Sequence, residues 1–357
     1  MFRSRALILS AALVCLWAST AAAQTIGIVA PMSDAVGLLG RQLRNGAEVA
    51  AAELRIAEVN IRFADDSCSA QGGAKAAGAM VASGVRIIVG FLCTEAIEAA
   101  LPVLAKAGIP VITPGVRANS LTDNRTRTGW PVYRLAPRAD DEQDAVSKLL
   151  TTRWQNELFA IVDDGTIYGR ELVESFRLAA ELAGLQPVFV DTYRPQMDNQ
   201  IGLVARLRRA GATHVLVGGD RADVAIMGRD AAELDYDLTI AAGENLRAPP
   251  GAVALATGTL MVGLPEPVDT ASRTVVTAFE NREIVPEGYT IPGFAAFEIA
   301  VEALIRAETS GRTLVDVLAS DRFETAMGSV EFDDKGDVTG NPYRLFRYDG
   351  SRFLTVE

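Results

Sequence analysis

The sequence has few of the residues from which catalytic and metal sites are usually built. Its 357 residues include one histidine, His214, and three cysteines. His214 stands within the apolar stretch THVLVGG, a pattern typical of a strand. Too few histidine and cysteine ligands are present for a metal cluster, and we expect the protein to bind no metal and no cofactor.

Common enzyme motifs are also missing. The sequence contains no G-x-S-x-G nucleophile elbow, no G-x-x-x-x-G-K-[ST] phosphate loop and no G-x-G-x-x-G dinucleotide fingerprint. Carboxylates are abundant, but abundance does not identify a catalytic pair. We therefore expect a protein that is not an enzyme. The alternative is an exported hydrolase, which would lose turnover when a strand-end carboxylate is replaced.

Basic residues are outnumbered, and long apolar runs are rare. The chain has 34 lysines and arginines against 45 aspartates and glutamates, a net charge of −11. Such acidity favours solubility and disfavours binding to nucleic acid. After residue 23 there is no stretch of about eighteen uninterrupted apolar residues, so we predict no membrane-spanning helix.

The N-terminus does carry a short apolar segment. MFRSR is followed by ALILSAALVCLWA and by small residues that include Ala21 and Ala23. About a dozen apolar residues are too few to span a bilayer but suit a secretory signal. We expect residues 1–23 to be a signal peptide cleaved after Ala23, which makes the mature protein periplasmic. An uncleaved anchor is the alternative.

Removal of the signal would leave two cysteines, Cys68 and Cys93, in an oxidising compartment. A disulfide between them would close a loop of roughly 25 residues and stabilise the fold by ~3 kcal/mol in the chain-entropy model. Cys93 ends the apolar run RIIVGFLC. A nucleophilic thiol at this position would need a histidine as general base. A free reactive thiol and two unpaired thiols are the alternatives.

Short apolar strands alternate with helical segments along the mature chain. The first series contains the strands TIGIVAPM, VNIRFADD, VRIIVGFLC and IPVITPG, and the second contains LFAIVDD, PVFVDTYR, THVLVGG and LTIAAGE. Continuous apolar strands joined by helices favour parallel sheets covered on both faces. The predicted fold class is therefore α/β, with two doubly wound lobes.

The second lobe is predicted to be inserted into the first. The proline-bounded strands PVYRLAP and TLMVGLPEP flank the second series, and a third crossing is expected near Thr325 to Gly328. Lobe 1 would then comprise residues 24–137 and 266–325, and lobe 2 residues 138–265 and 326–357. Turn signals in the tail predict antiparallel hairpins. Several connecting strands would let the lobes rotate about a cleft.

Ligands of open parallel α/β sheets bind beyond the carboxyl ends of the strands. The candidate binding residues at these positions are Thr94, Gly115, Val116, Arg117, Tyr168, Asp220 and Glu244, together with Leu39 after the first strand. Tyr168 could supply a ring wall and a hydroxyl, and Leu39 an apolar wall. The alternatives are a packing aromatic and a helix-start core residue. If the lobes face each other, these residues converge on one cleft.

Four of these side chains have the chemistry to bind a small polar ligand. Thr94, with the free amides of a helix start, could hold a carboxylate, and the Arg117 guanidinium could do so with two parallel bonds. Asp220 and Glu244 could receive an ammonium group. The alternatives are helix caps for Thr94 and Asp220, a solvated or structural arginine for Arg117, and an ordinary loop acid for Glu244.

Five stretches of the sequence resemble a known family along nearly the whole mature chain. They are GIVAPMSDAVGLLGRQLRNGAEVA, ADDSCSAQGGAKAAGAMVASGVRIIVGFLC, GIPVITPG, VDDGTIYGREL and VEFDDKGDVTGNPYRLFRYDG. The chain resembles the leucine/isoleucine/valine-binding proteins, the type I periplasmic solute-binding proteins of ABC importers. The resemblance implies two Rossmann-like lobes joined by a three-crossover hinge, closure on a ligand, bridged cysteines at Cys68 and Cys93, and permease and ATPase partners.

The resemblance also implies an amino-acid site that this sequence keeps in part. A hydroxyl residue follows the second cysteine, here Thr94, and an acid that receives the ammonium group matches Glu244; the tyrosine matching Tyr168 is kept. Where the family has a second hydroxyl residue, this chain has Arg117. Asp220 replaces a residue that is commonly aromatic.

An aromatic residue near Leu39 is missing as well. These departures favour a more polar amino acid or an amide over leucine, isoleucine or valine. Arg117 would bind a carboxylate, while Asp220 and Glu244 would bind an amine or amide. A rival interpretation pairs Arg117 with Asp220 across the closed cleft. A sensor domain of the same fold, and a binder of an aromatic or other organic acid, are alternative functions.

Overall fold

The computed structural model describes residues 24–33, 35–54 and 59–356. The predicted signal peptide, residues 1–23, lies outside the described residues. The first βα series consists of β1 (Gln24–Ala30), α1 (Gly37–Leu54), β2 (Val59–Asp65), α2 (Ala70–Ala82), β3 (Ile87–Gly90), α3 (Thr94–Lys106), β4 (Val111–Thr113), the short helices α4 (Ser120–Asp123) and α5 (Arg125–Thr128), and β5 (Val132–Arg134).

The second series begins with α6 (Asp141–Arg153). It continues with β6 (Phe159–Asp163), α7 (Ile167–Leu182), β7 (Phe189–Thr192), α8 (Ile201–Arg209), β8 (His214–Gly218), α9 (Arg221–Glu233), β9 (Thr239–Ala242), a 3₁₀ helix (Glu244–Arg247) and β10 (Leu260–Gly263). Local signals set several helix starts: the Thr166 hydroxyl, for example, accepts a hydrogen bond from Gly169 N at 3.0 Å and caps α7.

The remainder of the chain returns to the first series before it ends beside the second. It forms α10 (Pro267–Thr270), α11 (Arg273–Glu280), α12 (Thr290–Ser310), α13 (Leu314–Ser320), β11 (Phe323–Thr325), β12 (Gly328–Val330), β13 (Arg344–Tyr348) and β14 (Phe353–Thr355). Helix α12 packs closely on α1, because Gly46 has no side chain and its Cα lies against the carbonyl of Thr290.

The strands form two separate sheets. The first has the order β2-β1-β3-β4-β5 and is parallel throughout. The second has the order β14-β13-β10-β9-β8-β6-β7, parallel except where β13 pairs antiparallel with β10 and β14. The predicted α/β class and the hairpin in the tail are confirmed.

Apolar side chains fill the space on both faces of each sheet. In β1, Ile28 belongs to the core beneath α1 and α12, whereas the next residue, Val29, belongs to the core beneath α2 and α3. In β6, Val162 and Ile161 face two further cores in the same alternating way. This two-faced burial explains why the strands read as continuous apolar runs.

The chain passes between the two sheets three times: from β5 to α6, from β10 to α10, and from β12 to β13. The predicted three-crossover, two-lobed architecture is therefore confirmed. The hairpin of β11 and β12 contributes Phe323 and Val330 to the first core. The exact lobe boundaries stay a prediction.

A buried ion-pair network ties the first and third crossings together. The Arg134 side chain is 0% exposed, and its Nε donates to Asp337 Oδ1 at 2.7 Å. Arg138 Nη1 and Thr122 Oγ1 donate to the other oxygen of Asp337 at 2.8 and 2.9 Å. Both carboxylate oxygens are thus occupied by strong donors.

None of the described helices combines the length and the apolar character that crossing a bilayer requires.

Candidate functional site

The carboxyl ends of the two sheets meet at Arg117 and Glu244. Arg117 lies in the loop after β4 of the first sheet, and Glu244 begins the 3₁₀ helix after β9 of the second. Arg117 Nη1 is 3.5 Å from Glu244 Oε2. Tyr343, just before β13, joins them: its hydroxyl accepts from Arg117 Nη2 and donates to Glu244 Oε2 at 3.1 Å. Charged groups from distant parts of the sequence therefore share one site.

The pair is half-buried rather than sealed in the interior. The side chains of Arg117 and Glu244 are 35% and 23% exposed. Burial alone would lower the pKa of Arg117, but the neighbouring Tyr343 and Glu244 outweigh burial and raise it. Arg117 therefore stays charged. The other oxygen of the Glu244 carboxylate, Oε1, accepts a single long hydrogen bond within the described chain, from Leu264 N at 3.4 Å.

A buried carboxylate that we did not predict, Glu142, lies directly behind Glu244. Its side chain is 7% exposed and projects from the first turn of α6. Glu142 Oε1 accepts from the Tyr168 hydroxyl at 2.8 Å and from the backbone N of Glu244 at 2.6 Å. Gly243 makes this approach possible, since a side chain there would collide with Glu142 and Tyr168.

Burial governs the protonation of this inner group. It raises the pKa of the Glu142 carboxyl, the charge of Glu244 raises it further, and hydrogen bonds from Glu244 N and Tyr168 together with the charge of Arg117 oppose the rise. Burial and the Glu142 charge also raise the pKa of Tyr168, which keeps its hydroxyl hydrogen. Tyr168 was predicted as a site residue, and the structure brings it to Glu142.

A sequence signal for Glu142 does exist. In α6 the buried residues Glu142, Ala145, Val146 and Leu150 follow the spacing of an apolar helix face. An acid at a position of this stripe must find partners in the interior. The run DDEQD obscured this signal, because it resembles an ordinary acidic helix start.

Asp220 does not pair with Arg117 in this structure, where Arg117 pairs with Glu244; the rival interpretation, which concerns the closed cleft, stays a prediction. Asp220 stands at the N-cap of α9, where its side chain makes no capping hydrogen bond within the described chain. Its carboxylate accepts from Asn245 Nδ2 at 3.4 Å. The acid that Arg117 approaches is Glu244, at the end of β9, with Nη1 3.5 Å from Oε2.

Asp220 belongs to an acidic edge made by the ends of β6, β7 and β8. Asp164 and Asp223 are buried there, and burial, with the charges of Asp220 and Asp164, raises the pKa of Asp223. The Tyr193 hydroxyl lies against Gly219 and has no hydrogen-bond partner among the residues that the structure describes. This edge adjoins the Glu244 end of the cleft through Asn245.

The predicted residues of the first sheet occupy different environments. Thr94 is the first residue of α3 while Cys93 holds the N-cap, so the cap interpretation of Thr94 is wrong. Its half-buried hydroxyl makes no hydrogen bond within the described residues. Val116 is buried and packs in the core beneath α2 and α3, whereas Leu39 is half-buried in the first turn of α1.

Gly115 forms a close contact point at the start of the Arg117 loop. A Cβ there would stand 2.6 Å from Leu92 Cδ2 and 3.1 Å from Tyr289 Cε1. Tyr289, which precedes α12, was not predicted. Tyr289 lies beside the start of the Arg117 loop. Burial raises the pKa of Tyr289, and the charge of Arg117 opposes the rise.

The predicted disulfide joins Cys68 to Cys93, with the Cα atoms 5.3 Å apart. It connects the loop before α2 to the end of the segment that follows β3, one residue before Thr94. Ser67 and Cys68 have positive φ values of 48° and 49°, and Asp66 Oδ1 accepts from Cys68 N at 2.9 Å. The bond therefore holds a strained loop beside the start of α3.

Comparison with known proteins gives the family. A family model described as "Periplasmic binding protein" matches residues 23–352. "Leu/Ile/Val-binding protein homolog 3" of Brucella melitensis is 25% identical over 348 residues, covering 93% of this chain and 93% of that protein. The "Leucine-, isoleucine-, valine-, threonine-, and alanine-binding protein" of Pseudomonas aeruginosa is 22% identical over 336 residues, covering 90% and 89%.

Solved structures share the fold. An ABC transporter substrate-binding protein from Desulfitobacterium hafniense in complex with Leu has a TM-score of 0.67 and 21% identity, covering 93% of this chain and 99% of that one. A solute-binding protein from Rhodopseudomonas palustris HaA2 in complex with p-hydroxybenzoic acid has a TM-score of 0.65 and 14% identity, covering 94% and 95%. The resemblance inferred from the sequence is confirmed, and this chain belongs to the periplasmic binding protein family as a solute-binding protein.

Proposed function

We propose that the protein is the substrate-binding component of an ABC importer and captures a polar amino acid or a related amide between its lobes. The observation that carries this proposal is the half-buried pairing of Arg117 with Glu244 across the two sheets. Opposite charges placed on opposite lobes suit a ligand that itself carries both charges. The names of relatives that bind leucine, isoleucine and valine support an amino acid, and the side chains of this site favour a more polar one.

A zwitterionic ligand would insert between the two charges. Its carboxylate would bind the Arg117 guanidinium and the free amides at the start of α3 with the Thr94 hydroxyl. Its ammonium group would bind Glu244 Oε1 and the Tyr168 oxygen. Hydrogen bonds to charged groups contribute about 1.5–3 kcal/mol each, so a few of them account for the roughly −8 kcal/mol of micromolar binding.

The far end of the ligand would face the acidic edge at Asp220. Carboxylates without a paired arginine attract N–H and O–H donors rather than apolar groups. This supports an amide or amine side chain over the branched alkyl groups named for the relatives. Leu39 and Tyr289 would supply walls on the side of the first sheet.

An aromatic acid is the second candidate, because a fold neighbour holds p-hydroxybenzoic acid. Arg117 could bind its carboxylate, and Tyr289 and Tyr343 offer rings nearby. However, an aromatic acid brings no positive charge to the site. Glu244 and Glu142 would then share the charge of Arg117 with the carboxylate of the ligand. The electrostatics of the site therefore favour the zwitterion.

A thermal-shift screen of residues 24–357 tests the choice, since a ligand that binds the folded state raises the melting temperature by mass action. The panel contains amino acids, amides, urea-like compounds and hydroxybenzoates, and hits are measured by calorimetry. We expect glutamine-like or other polar amino acids to give the largest shift. A tight hydroxybenzoate and no response to any amino acid would overturn the proposal.

We further propose that the protein acts in the periplasm and delivers its ligand, in the closed form, to a permease pair with cytoplasmic ATPases. Family membership supports the periplasmic location. A sensor role would use the same cleft and differ only in the receptor. Ligand-stimulated ATP hydrolysis by the permease complex in vesicles supports transport, and its absence beside ligand-dependent binding to a signalling receptor supports sensing.

A further inference from the structure

We infer that Glu142 is a positioning residue that turns the Tyr168 hydroxyl and the Glu244 loop so that the inner end of the cleft presents hydrogen-bond acceptors only. This inner end would admit ligands with N–H donors and reject those with a carboxylate or another acceptor there. The inference rests on the proposed function for the place of the ligand, but the hydrogen-bond arrangement is independent of it.

One oxygen of Glu142 organises two elements. Oε1 accepts from Tyr168 of α7 at 2.8 Å and from the backbone N of Glu244 at 2.6 Å. Three segments of the second lobe, α6, α7 and the 3₁₀ helix, are thereby held at one atom. The missing side chain of Gly243 leaves the space that this approach needs.

The direction of these hydrogen bonds decides what the site can offer. A tyrosine hydroxyl has one hydrogen, and Tyr168 donates it to Glu142, so its oxygen can only accept from another group. Tyr343 likewise donates to Glu244 Oε2 and accepts from Arg117. The polar atoms that remain at the inner end are the Tyr168 oxygen, which the backbone N of Asn245 also approaches, and Glu244 Oε1, which Leu264 N approaches at 3.4 Å; both are acceptors.

The charges at the inner end give the same preference. Glu142 and Glu244 supply two carboxylates against one arginine, Arg117. A ligand ammonium group would balance the second carboxylate, whereas an acceptor group would bring lone pairs towards lone pairs. The inner end is therefore selective for an ammonium or amide N–H group.

Two substitutions separate positioning from charge. Glu142→Gln keeps an amide oxygen that can accept both hydrogen bonds but removes the charge. Glu142→Ala removes the acceptor and lets the Tyr168 hydroxyl donate towards the cleft. Glu171→Ala on α7 is the matched control, because within the described part of the chain this exposed glutamate accepts only a long hydrogen bond from Gln143, at 3.5 Å.

The binding arm compares L-glutamine with glutaramate, its analogue without the α-amino group, by calorimetry. For Glu142→Ala we expect the affinity for glutamine to fall about 30-fold or more, while binding of glutaramate changes little or improves. Glu142→Gln should lose about three- to tenfold, and Glu171→Ala nothing. Equal losses for both probes in Glu142→Ala, or no loss for glutamine, would overturn the inference.

A ligand-free arm distinguishes this failure from failure of the proposed function. The backbone amide resonance of Glu244 in ¹⁵N NMR should stay shifted by its short hydrogen bond in wild type and in Glu142→Gln, and move only in Glu142→Ala. If neither probe binds the wild-type protein, the proposed ligand is wrong. The Glu244 resonance then tests by itself whether Glu142 positions the Glu244 loop. An identical Glu244 resonance in Glu142→Ala would refute that role.

Discussion

An arginine–carboxylate pair at the hinge and another in the cleft join separate parts of this chain under different conditions. At the hinge, Arg134 is fully buried and both oxygens of Asp337 are occupied by short hydrogen bonds. In the cleft, Arg117 stands 3.5 Å from Glu244, and both side chains are partly exposed. The hinge pair is therefore fixed and the cleft pair is exchangeable, because burial decides whether water or a ligand can replace the partner of an arginine.

The difference explains how a binding protein can be both firmly connected and able to open. A buried ion pair that loses one partner leaves an uncompensated charge in the interior, so it is not broken during function. A half-exposed pair contributes little to stability, since solvent competes for both charges. The cleft pair can therefore be exchanged for a ligand without destabilising either lobe.

The largest expected effect is at the hinge. Asp337→Ala leaves the Arg134 charge buried without its carboxylate, and we expect a loss of about 3–5 kcal/mol in the free energy of unfolding. Urea denaturation followed by circular dichroism measures this. Arg273→Ala, which breaks an exposed pair with Glu280, is the control and should change stability by less than about 0.5 kcal/mol. Equal effects of the two substitutions would remove the contrast between fixed and exchangeable pairs.

The cleft pair should show the opposite behaviour. Arg117→Ala is expected to weaken ligand binding between about tenfold and a hundredfold, because a charge-assisted hydrogen bond to the ligand carboxylate is lost. Its stability without ligand should change by no more than about 1 kcal/mol. Calorimetric titration and urea denaturation of one preparation give both numbers. An unchanged affinity would remove Arg117 from the site, and a stability loss as large as that of Asp337→Ala would make it structural.

Ligand affinity should also depend on pH through Glu142. Its raised pKa means that it takes up a proton at a higher pH than an exposed glutamate. Affinity for an ammonium-bearing ligand should therefore fall as the pH is lowered, and this fall should begin at a higher pH than for an exposed glutamate. The groups that face Glu142 are Tyr168 from α7, Glu244 from the 3₁₀ helix and Arg117 from the opposite lobe. In Glu142→Gln the fall should flatten; a profile identical to that of wild type would show that Glu142 is not the group that titrates.

The smallest expected effect comes from a carboxyl group, Glu298, that has no arginine partner among the residues that the structure describes. Burial, opposed by a hydrogen bond from Ala326 N and reinforced by Glu302, raises the pKa of Glu298 to about 7. The folded protein thus holds a proton that the unfolded chain has already lost. Stability should be highest below about pH 4.5 for this group and fall as the pH rises through 7, on the order of 1 kcal/mol after allowing for its partial exposure.

Glu298→Gln tests this assignment. It can still accept from Ala326 N, and it should remove this part of the pH dependence and stabilise the protein at pH 8. Urea midpoints at pH 5 and pH 8, for wild type and variant, give the comparison. Glu280→Gln is the control, because Glu280 belongs to an exposed ion pair with Arg273. Parallel pH curves for wild type and Glu298→Gln would show that other groups titrate in this range.

The prediction of the fold succeeded where the physical signal is local. Runs such as RIIVGFLC are apolar at every position because the strand is buried on both faces, and the segments between them show helical spacing. The pairing of Cys68 with Cys93 followed from cysteine number and compartment. His214 lies in β8, as its apolar neighbours indicated.

The binding role of the candidate residues stays a prediction, but part of the geometry of the candidate site could be expected for a similar reason. Arg117, Tyr168 and Glu244 were named because ligands bind at strand ends, and strand ends can be read from the sequence. Tyr343 and Tyr289 were missed, since each precedes an element that reaches the cleft only after another crossing of the chain. Glu142 was missed because its burial depends on α7 and the 3₁₀ helix, which lie far along the sequence.

The sequence by itself determined the alternation of strands and helices, the disulfide and the set of residues at the strand ends, since each depends on near neighbours or on residue counts. Only the tertiary structure decided that Arg117 meets Glu244 rather than Asp220, and that Glu142 lies behind both Tyr168 and Glu244. The physical reason is that hydrogen bonds and ion pairs act over a few ångströms, and the three crossings alone set which distant residues come that close.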